Sequence, residues 1–353
     1  MQADDWLSQV VEAPLDPRQP IIDAHHHLWD RPGHRYLVDE LLADMRGGPA
    51  PGGHGKAGHN IAATVFMQIE TAYRDSGPLH LRPVGETVYT NAVADAALRR
   101  RQADKHEPLL CAGIVGYADL TDEAVGETLD AHMAAAPARF RGVREKLALR
   151  DDRIMAVKNP IHPTKQFADP ALRHGIAQLT ARNLSLDVFI FHPQLRDLAA
   201  LARDFPDTAM VLDHIGTPVG VGPYAGRQEE VFAEWKKDIA DLARCPNVTV
   251  KLGGTAMPYN GFGWEHRPRP PSSEELAAAT RGYYLHVIDC FSPARCMFES
   301  NFPVDRWSCS YTVEWNSYQR IAVGFSETEK SALFFNTAAR VYRLDLPANI
   351  AAG

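Results

Sequence analysis

Eight short apolar runs, each too brief to be a helix of ordinary length, restrict the fold of this sequence more than any other feature. They span 21–27, 62–70, 109–117, 140–146, 186–192, 209–214, 247–254 and 295–301. Near-continuous runs of Val, Ile, Leu and Phe are typical of parallel strands that are buried on both faces. Successive runs begin 23 to 48 residues apart, which leaves room for a crossover helix after each strand.

Eight strands that alternate with helices over about 330 residues predict an α/β fold, a (β/α)8 TIM barrel. Two capping boxes, Ser272 with Glu275 and Ser326 with Glu329, mark helix starts between or after the runs. A doubly wound open sheet is the alternative, but no G-x-G-x-x-G follows the first run.

We expect one TIM-barrel domain over residues 1–353, with an amino-terminal extension at 1–20. The segment 254–271 is rich in Pro, Gly and aromatic residues, a composition that suits a lid loop. A surface insertion is the alternative interpretation of that segment.

Charge and composition exclude several function classes. The chain has 353 residues, of which 37 are basic and 44 acidic, and no block of Lys and Arg, which argues against binding nucleic acid through its phosphates. No apolar stretch is long enough to span a membrane, and the amino terminus lacks the pattern of a secretory signal. Five scattered cysteines without a C-x-x-C indicate reduced thiols. We therefore predict a cytoplasmic protein with a small-molecule substrate and no nucleic-acid or membrane partner. The sequence leaves open whether the protein forms a homo-oligomer.

Polar residues collect where the apolar runs end. In a TIM barrel these carboxyl ends of the strands share one face, and active sites lie there. The second run ends in Gln68 and Glu70, the fourth in Arg144 and Lys146, the fifth in His192, the sixth in His214, and the last two carry Lys251, Glu299 and Asn301. Because an unpaired polar group is costly to bury, so many of them indicate an active site rather than an ordinary core.

The histidines of the first run suggest a metal site. Side chains alternate along a strand, so Asp23, His25 and His27 are expected to share one face. Two imidazoles on one face can bind one metal ion, and histidine favours borderline ions such as Zn²⁺.

Three charged residues at the strand ends, Arg144, Lys251 and Glu299, are candidates for substrate binding or for structural ion pairs. Arg144 has the planar fork that holds a substrate carboxylate, and a salt bridge to Glu70 or Glu299 is the structural alternative. Lys251 and Glu299 are expected to form a buried ion pair that braces the barrel.

Several motifs together resemble the amidohydrolase-related (amidohydrolase 2) family, the predicted metal-dependent barrel hydrolases that include sugar lactonases and 2-pyrone-4,6-dicarboxylate lactonase. These motifs are IIDAHHHLWD, FRGVRE, LDHIG at 212–216, VKLGG and SNFPVD, and the resemblance covers roughly residues 20–345. It implies an amidohydrolase-like TIM barrel and a hydrolase, and it says little about the substrate.

The resemblance also implies roles for particular residues. The family's H-x-H motif falls on His25 and His27, and the histidine of its D-H-x-G motif falls on His214, so these three are the implied metal ligands, with His192 a further candidate. The family's arginine for substrate carboxylates falls on Arg144. The aspartate that the family places on the eighth strand falls on Asn301, which lacks the basicity to take a proton from water.

Because Asn301 cannot act as the base, another group must. The candidates are His192, His214, Asp305 and Glu299, in falling order, since a histidine pKa lies near working pH. The resulting catalytic set is His192, His214, Asn301, Arg144 and Asp305, and Arg144, Gln68 and Glu70 are the expected substrate-binding residues.

The chemistry implied by the resemblance has two forms. With a divalent metal, for which zinc is favoured, the ion would activate water and polarise a carbonyl. Without a metal, the histidines would stabilise the developing oxyanion. The expected reaction is hydrolysis of a lactone or other cyclic ester or amide that bears a carboxylate. A metal-dependent decarboxylase or hydratase and a catalytically inactive binding protein are the alternatives.

Overall fold

The eight predicted runs form one parallel sheet in which each strand pairs with the strand before it. The computed structural model describes residues 4–47, 58–148, 153–154, 167–347 and 350. The strands are β1 (Ile21–His26), β2 (Ile61–Met67), β3 (Leu109–Gly116), β4 (Phe140–Lys146), β5 (Ser185–Phe189), β6 (Met210–Leu212), β7 (Val248–Leu252) and β8 (Cys296–Phe298). This arrangement confirms the predicted (β/α)8 barrel and rules out the open doubly wound sheet.

The barrel closes through the residues that follow β8. The backbone N–H of Asn301 donates to the carbonyl of His25 at 2.9 Å, and the N–H of His27 donates to the carbonyl of Phe302 at 2.8 Å. These two bonds fix Asn301 beside the histidine-rich end of β1.

Helices surround the sheet and cover its outer face. The α-helices are Asp4–Leu7, Val38–Met45, Val84–Ala103, Val125–Ala135, Pro170–Ala181, Leu195–Asp204, Gln228–Leu242, Ser273–Phe291, Tyr311–Ile321, Glu327–Ser331 and Thr337–Val341. Both predicted capping boxes are confirmed at the starts of their helices. No helix in the described ranges is long and apolar enough to cross a membrane.

One short element was not predicted. A two-stranded hairpin pairs Trp29–Arg31 with His34–Tyr36 immediately after β1. Its turn contains Pro32 and Gly33, and Gly33 has a φ of 74°, a conformation that glycine adopts without strain. Three-residue strands are too short to show a periodicity in sequence, which is why the pattern did not reveal them.

A bulge in β1 changes which side chains point together. Asp23 pairs with Thr64 and His26 with Phe66, so β1 contains one residue more than β2 over this stretch. The carboxylate of Asp23 accepts hydrogen bonds from Ser300 Oγ at 2.6 Å and from the Tyr311 hydroxyl at 2.9 Å. The expectation that Asp23 shares a face with His25 and His27 is therefore wrong, because the bulge breaks the alternation.

The amino-terminal segment packs against the 254–271 loop. Trp6 Nε1 donates to the carbonyl of Arg267 at 3.0 Å. Within the loop, Pro258–Asn260 and Trp264–His266 form single helical turns, and the Trp264 side chain is buried. The loop is therefore held against the amino-terminal segment and buries its own Trp264 side chain. Its role as a lid stays a prediction.

Candidate active site

A buried ion-pair network lies inside the barrel. Lys251 Nζ donates to Asp187 Oδ2 and Asp213 Oδ1, both at 2.9 Å, and the Tyr342 hydroxyl donates to Asp187 Oδ2 at 2.5 Å. Although burial alone lowers the pKa of Lys251, the two carboxylates raise it above its ordinary value. The predicted Lys251–Glu299 ion pair is wrong, because the side chain of Glu299 is engaged by histidines.

Glu299 orients two imidazoles. Its Oε1 accepts from His214 Nδ1 at 2.7 Å, and its Oε2 lies 2.8 Å from His25 Nδ1. Burial alone raises the pKa of Glu299, but the two histidines lower it to about 2, so the carboxylate is ionised. Because His214 Nδ1 donates to Glu299, the opposite ring atom, Nε2, is left for other partners. His25 Nδ1 also lies 3.3 Å from Lys251 Nζ.

The position of His214 depends on an unusual backbone conformation of its own and on a glycine packed against its ring. Its own φ is 54°, in the left-handed region that non-glycine residues seldom adopt. A Cβ on Gly254 would lie 2.5 Å from the His214 ring, so only glycine fits there. Burial lowers the pKa of His214, Glu299 raises it, and the net pKa is above the ordinary value. Strained backbone at a strand end is typical of functional sites.

His25 and His27 bring two ring nitrogens together. Their Nε2 atoms are 3.1 Å apart, and His27 Nδ1 lies 2.9 Å from the carbonyl of Met67. Because Nδ1 of each ring has an acceptor, the neutral rings carry their protons there and present two lone pairs to each other. Burial lowers the pKa of both histidines, so an added proton is disfavoured. Such a pair is suited to a cation.

A metal-binding group can be drawn from these residues. His25, His214 and Glu299 each offer a ligand atom, and these atoms lie within 4.8 Å of one another. His27 does not belong to that group of three, but its Nε2 faces His25. Imidazoles that ligate metals commonly donate their other N–H to a carboxylate or a carbonyl, as His214 and His27 do here.

Arg144 lies against this histidine pair. Its Nη1 is 3.1 Å from His25 Nε2, and its Nη2 donates to the backbone carbonyl of Gln68 at 2.6 Å. The structural alternative, a salt bridge from Arg144 to Glu70 or Glu299, is wrong, and Arg144 Nη1 lies 3.7 Å from Asp213 Oδ2. Glu70 pairs instead with Lys146, which lies two residues after Arg144 on β4, at 3.0 Å.

Several polar groups near Arg144 are buried without a hydrogen-bond partner among the described residues. They are both amide atoms of Gln68, the Tyr73 hydroxyl, Arg144 Nε and Glu86 Oε2. Burial raises the pKa of Glu86 to about 7. Tyr73 and Glu86 lie outside the strand runs, so the strand-end pattern did not mark them. Buried polar groups usually have partners, so these groups are suited to bind a water molecule, an ion or a polar ligand.

Asn301 and Asp305 form a pair at the end of β8. Asn301 Nδ2 donates to Asp305 Oδ1 at 2.7 Å, and the backbone N–H of Ala256 donates to Asp305 Oδ2 at 3.2 Å. Burial raises the pKa of Asp305 to about 7. A carboxylate is thus present four residues beyond the position at which the resemblance places one.

His192 is separate from the other predicted residues. It lies in a helical turn after β5 and is buried, and its Nδ1 accepts from the backbone N–H of Val219 at 3.2 Å. Burial lowers its pKa to about 4. Within the described ranges, no hydrogen bond joins it to His25, His27 or His214, although sequence reasoning ranked it first as a base.

Comparison with known proteins shows the family of this chain. The model of a family described as "Amidohydrolase" matches residues 22–344. An uncharacterized protein of Sinorhizobium fredii is 34% identical over 346 residues, which cover 92% of this chain and 98% of that protein. An L-fucono-1,5-lactonase of Burkholderia multivorans is 29% identical over 240 residues, 67% of this chain and 73% of the relative. A crystal structure of an amidohydrolase from Burkholderia multivorans with bound HEPES is 25% identical and has a TM-score of 0.65. The match covers 92% of this chain and 99% of that structure.

Proposed function

The chain belongs to the amidohydrolase family, and we propose that it hydrolyses a lactone or another cyclic ester or amide that carries a carboxylate. Membership of this family makes the protein a hydrolase, and a relative named for lactone hydrolysis supports the narrower substrate class. The observation that carries the proposal is the position of Arg144 at the histidine cluster, where Nη2 is held by the backbone carbonyl of Gln68 and the buried Nε has no described partner.

We propose that His25, His27 and His214 hold a divalent ion, zinc. The fit rests on two unprotonated Nε2 atoms at 3.1 Å, and on Nδ1 hydrogens that the carbonyl of Met67 and the carboxylate of Glu299 accept. Zinc held there would polarise the carbonyl of the substrate and favour the attack of water.

Arg144 and Gln68 are proposed to bind the substrate. The guanidinium fork matches a carboxylate, and its Nε has no described partner that a ligand would need to displace. The Gln68 amide offers one donor and one acceptor to polar groups of the substrate. Glu70 contributes indirectly, because its ion pair holds Lys146 at the same strand ends.

Asp305 is proposed as the general base. Its pKa of about 7 suits proton transfer near neutral pH, and Asn301 holds the carboxylate through one amide hydrogen. His214 is less suited to this role if its Nε2 holds the ion. In this scheme Asn301 positions the base instead of replacing it.

Metal analysis and a lactone screen test these proposals together. We expect purified protein to contain zinc and to open a carboxylate-bearing lactone, with hydroxy-acid product and no CO₂. The variant His27→Ala should lose zinc and about 10²- to 10³-fold in kcat/KM. The control His286→Ala, on the outer helix Ser273–Phe291, should keep both.

The outcomes separate the parts of the proposal. An active protein without metal contradicts the zinc site and leaves the lactonase proposal standing. Release of CO₂ shows a decarboxylase, and the absence of turnover on every lactone tested contradicts the proposed function itself.

A further inference from the structure

We infer that His192 is a fixed hydrogen-bond donor to the substrate, acting through Nε2–H in a neutral subsite formed with Thr217 and Asn260. This inference rests on the proposed function and extends it, because the subsite would take a hydroxyl group of the lactone. It also gives His192 a role other than general base or metal ligand.

The tautomer of His192 follows from its partner. The backbone N–H of Val219 points at His192 Nδ1 from 3.2 Å, and an amide N–H can only donate. Nδ1 must therefore accept, so the proton of the neutral ring lies on Nε2. Burial lowers the pKa of His192 to about 4, which keeps the ring neutral at working pH. A protonated Nε2 has no lone pair with which to ligate a metal or take a proton from water.

The orientation of Asn260 is fixed in the same way. Its Nδ2 donates to the carbonyl of Pro218 at 3.0 Å, which identifies the other end of the amide as the oxygen. Oδ1 is buried and has no partner in the described part of the chain. Asn260 therefore presents an acceptor.

Thr217 supplies the third group. Its Oγ1 is buried without a described partner, and a hydroxyl can donate as well as accept. The carbonyl of Thr217 accepts from the backbone N–H of His192 at 3.3 Å, so the two residues are in direct contact. The short segment 217–219 thus contains the Thr217 hydroxyl and holds the side chains of His192 and Asn260 through hydrogen bonds.

Aromatic contacts connect this segment to the histidine cluster. The ring centroids of Phe189 and His214 are 5.8 Å apart, as are those of Phe189 and Phe191, and the Phe191 ring lies 6.1 Å from that of Tyr259. Asn260 follows Tyr259, so a series of three ring contacts connects the subsite to His214.

The three groups together select a hydroxyl. They are a donor, an acceptor and a hydroxyl, and none is charged. A hydroxyl of the substrate can accept from His192 and donate to Asn260. A carboxylate only accepts, so it would meet the oxygen of Asn260 unfavourably and is better placed at Arg144.

The tautomer is tested without any activity. In ¹⁵N NMR spectra of the unliganded protein, we expect His192 to show a protonated Nε2 and an unprotonated Nδ1 between pH 5 and pH 8. A protonated Nδ1, or a ring that titrates in this range, overturns the inference even if the protein hydrolyses lactones.

Kinetics test the role. On two lactones that differ by one hydroxyl, His192→Leu should raise KM for the hydroxylated one by about 3- to 10-fold and remove the preference, with kcat and zinc content unchanged. His192→Gln should recover part of this preference, since its amide donates from a similar reach. Thr217→Val should also reduce the preference, and His286→Gln should not.

Three results with the His192 variants overturn the inference. A fall in kcat of about 100-fold or more in both His192 variants indicates a general base, and a loss of zinc in both indicates a metal ligand. Unchanged kinetics mean that the ring only packs against Tyr224, which it contacts at 4.9 Å. If no lactone is turned over, calorimetry with hydroxylated and deoxy carboxylic acids on wild type and His192→Leu still measures the subsite.

Discussion

Asp213, Lys251 and Glu299, at the ends of β6, β7 and β8, have charged partners inside the barrel, whereas Gln68 after β2 and His192 after β5 do not. Glu299 engages two imidazoles, and Lys251 pairs with two carboxylates. Gln68 and His192 are equally hidden from solvent, yet each has a side-chain group without a described partner. Burial therefore does not distinguish the two regions, but ion pairing does. Asp213 Oδ2 and Glu299 Oε2 also have no hydrogen-bond partner among the described residues, yet they lie 3.7 Å from Arg144 Nη1 and 2.8 Å from His25 Nδ1. The ion-paired region is suited to hold its own geometry, and the unpaired groups are suited to a ligand.

The largest effect on activity is expected for a substitution of Asp305. It tests whether the region around β6, β7 and β8 takes part in catalysis as well as in structure. Asp305→Asn should lower kcat by about 10²- to 10⁴-fold, because the amide cannot take a proton. In the wild type the carboxylate must be ionised, so kcat/KM should rise by about tenfold per pH unit below its pKa of about 7 and level off above it. Rates measured from pH 5 to pH 9 check both points.

The same profile provides the control for Asp305. The residual activity of Asp305→Asn should lose the dependence on a group with a pKa of about 7. If the variant keeps the wild-type profile, Asp305 is a structural partner of Asn301 and the proton goes elsewhere.

The next effect concerns stability. Lys251→Met leaves Asp187 and Asp213 buried without their counter-charge, a change that typically costs about 3–5 kcal/mol of unfolding free energy. Urea unfolding of the wild type and the variant measures it. The control Lys330→Met breaks an exposed pair with Glu327, and its unfolding midpoint should match that of wild type. Equal midpoints for the two variants would show that the buried network does not stabilise the barrel.

The fold could be predicted from sequence because its signal is local. Every strand of the barrel corresponds to one apolar run, and each run overlaps the strand that it predicts. The partners of the buried charges could not be predicted, because Asp187 and Tyr342 are 155 residues apart and meet only when the barrel closes. A single extra residue in β1 was enough to turn Asp23 away from His25, and the sequence carries no mark of that bulge.

The candidate site was predicted in its residue types and only partly in its contacts. His25, His27, His214 and Arg144 do meet at the strand ends. His192 was ranked first as a base on its residue type alone, and the amide of Val219 that occupies its Nδ1 is 27 residues away in the chain. Such a hydrogen bond decides the chemistry of an imidazole, and it is visible only in the folded protein.

The smallest effect compares two buried glutamines, Gln68 after β2 and Gln194 after β5. Gln194 has both ends of its amide bonded, to the N–H of Phe191 at 3.2 Å and to the carbonyl of Leu147 at 2.6 Å, whereas the amide of Gln68 has no partner in the described ranges. Methionine has a similar length and no polar amide. Gln68→Met should therefore raise the unfolding free energy by about 1 kcal/mol while it raises KM, because a buried unsatisfied group is removed and a substrate contact is lost. Gln194→Met should lower the unfolding free energy by about 1–3 kcal/mol, because it leaves two buried backbone groups unpaired. Thermal unfolding and KM measured on both variants decide the matter, and a Gln68→Met protein that is less stable than wild type would mean that Gln68 is held by a partner of its own and not kept free for a ligand.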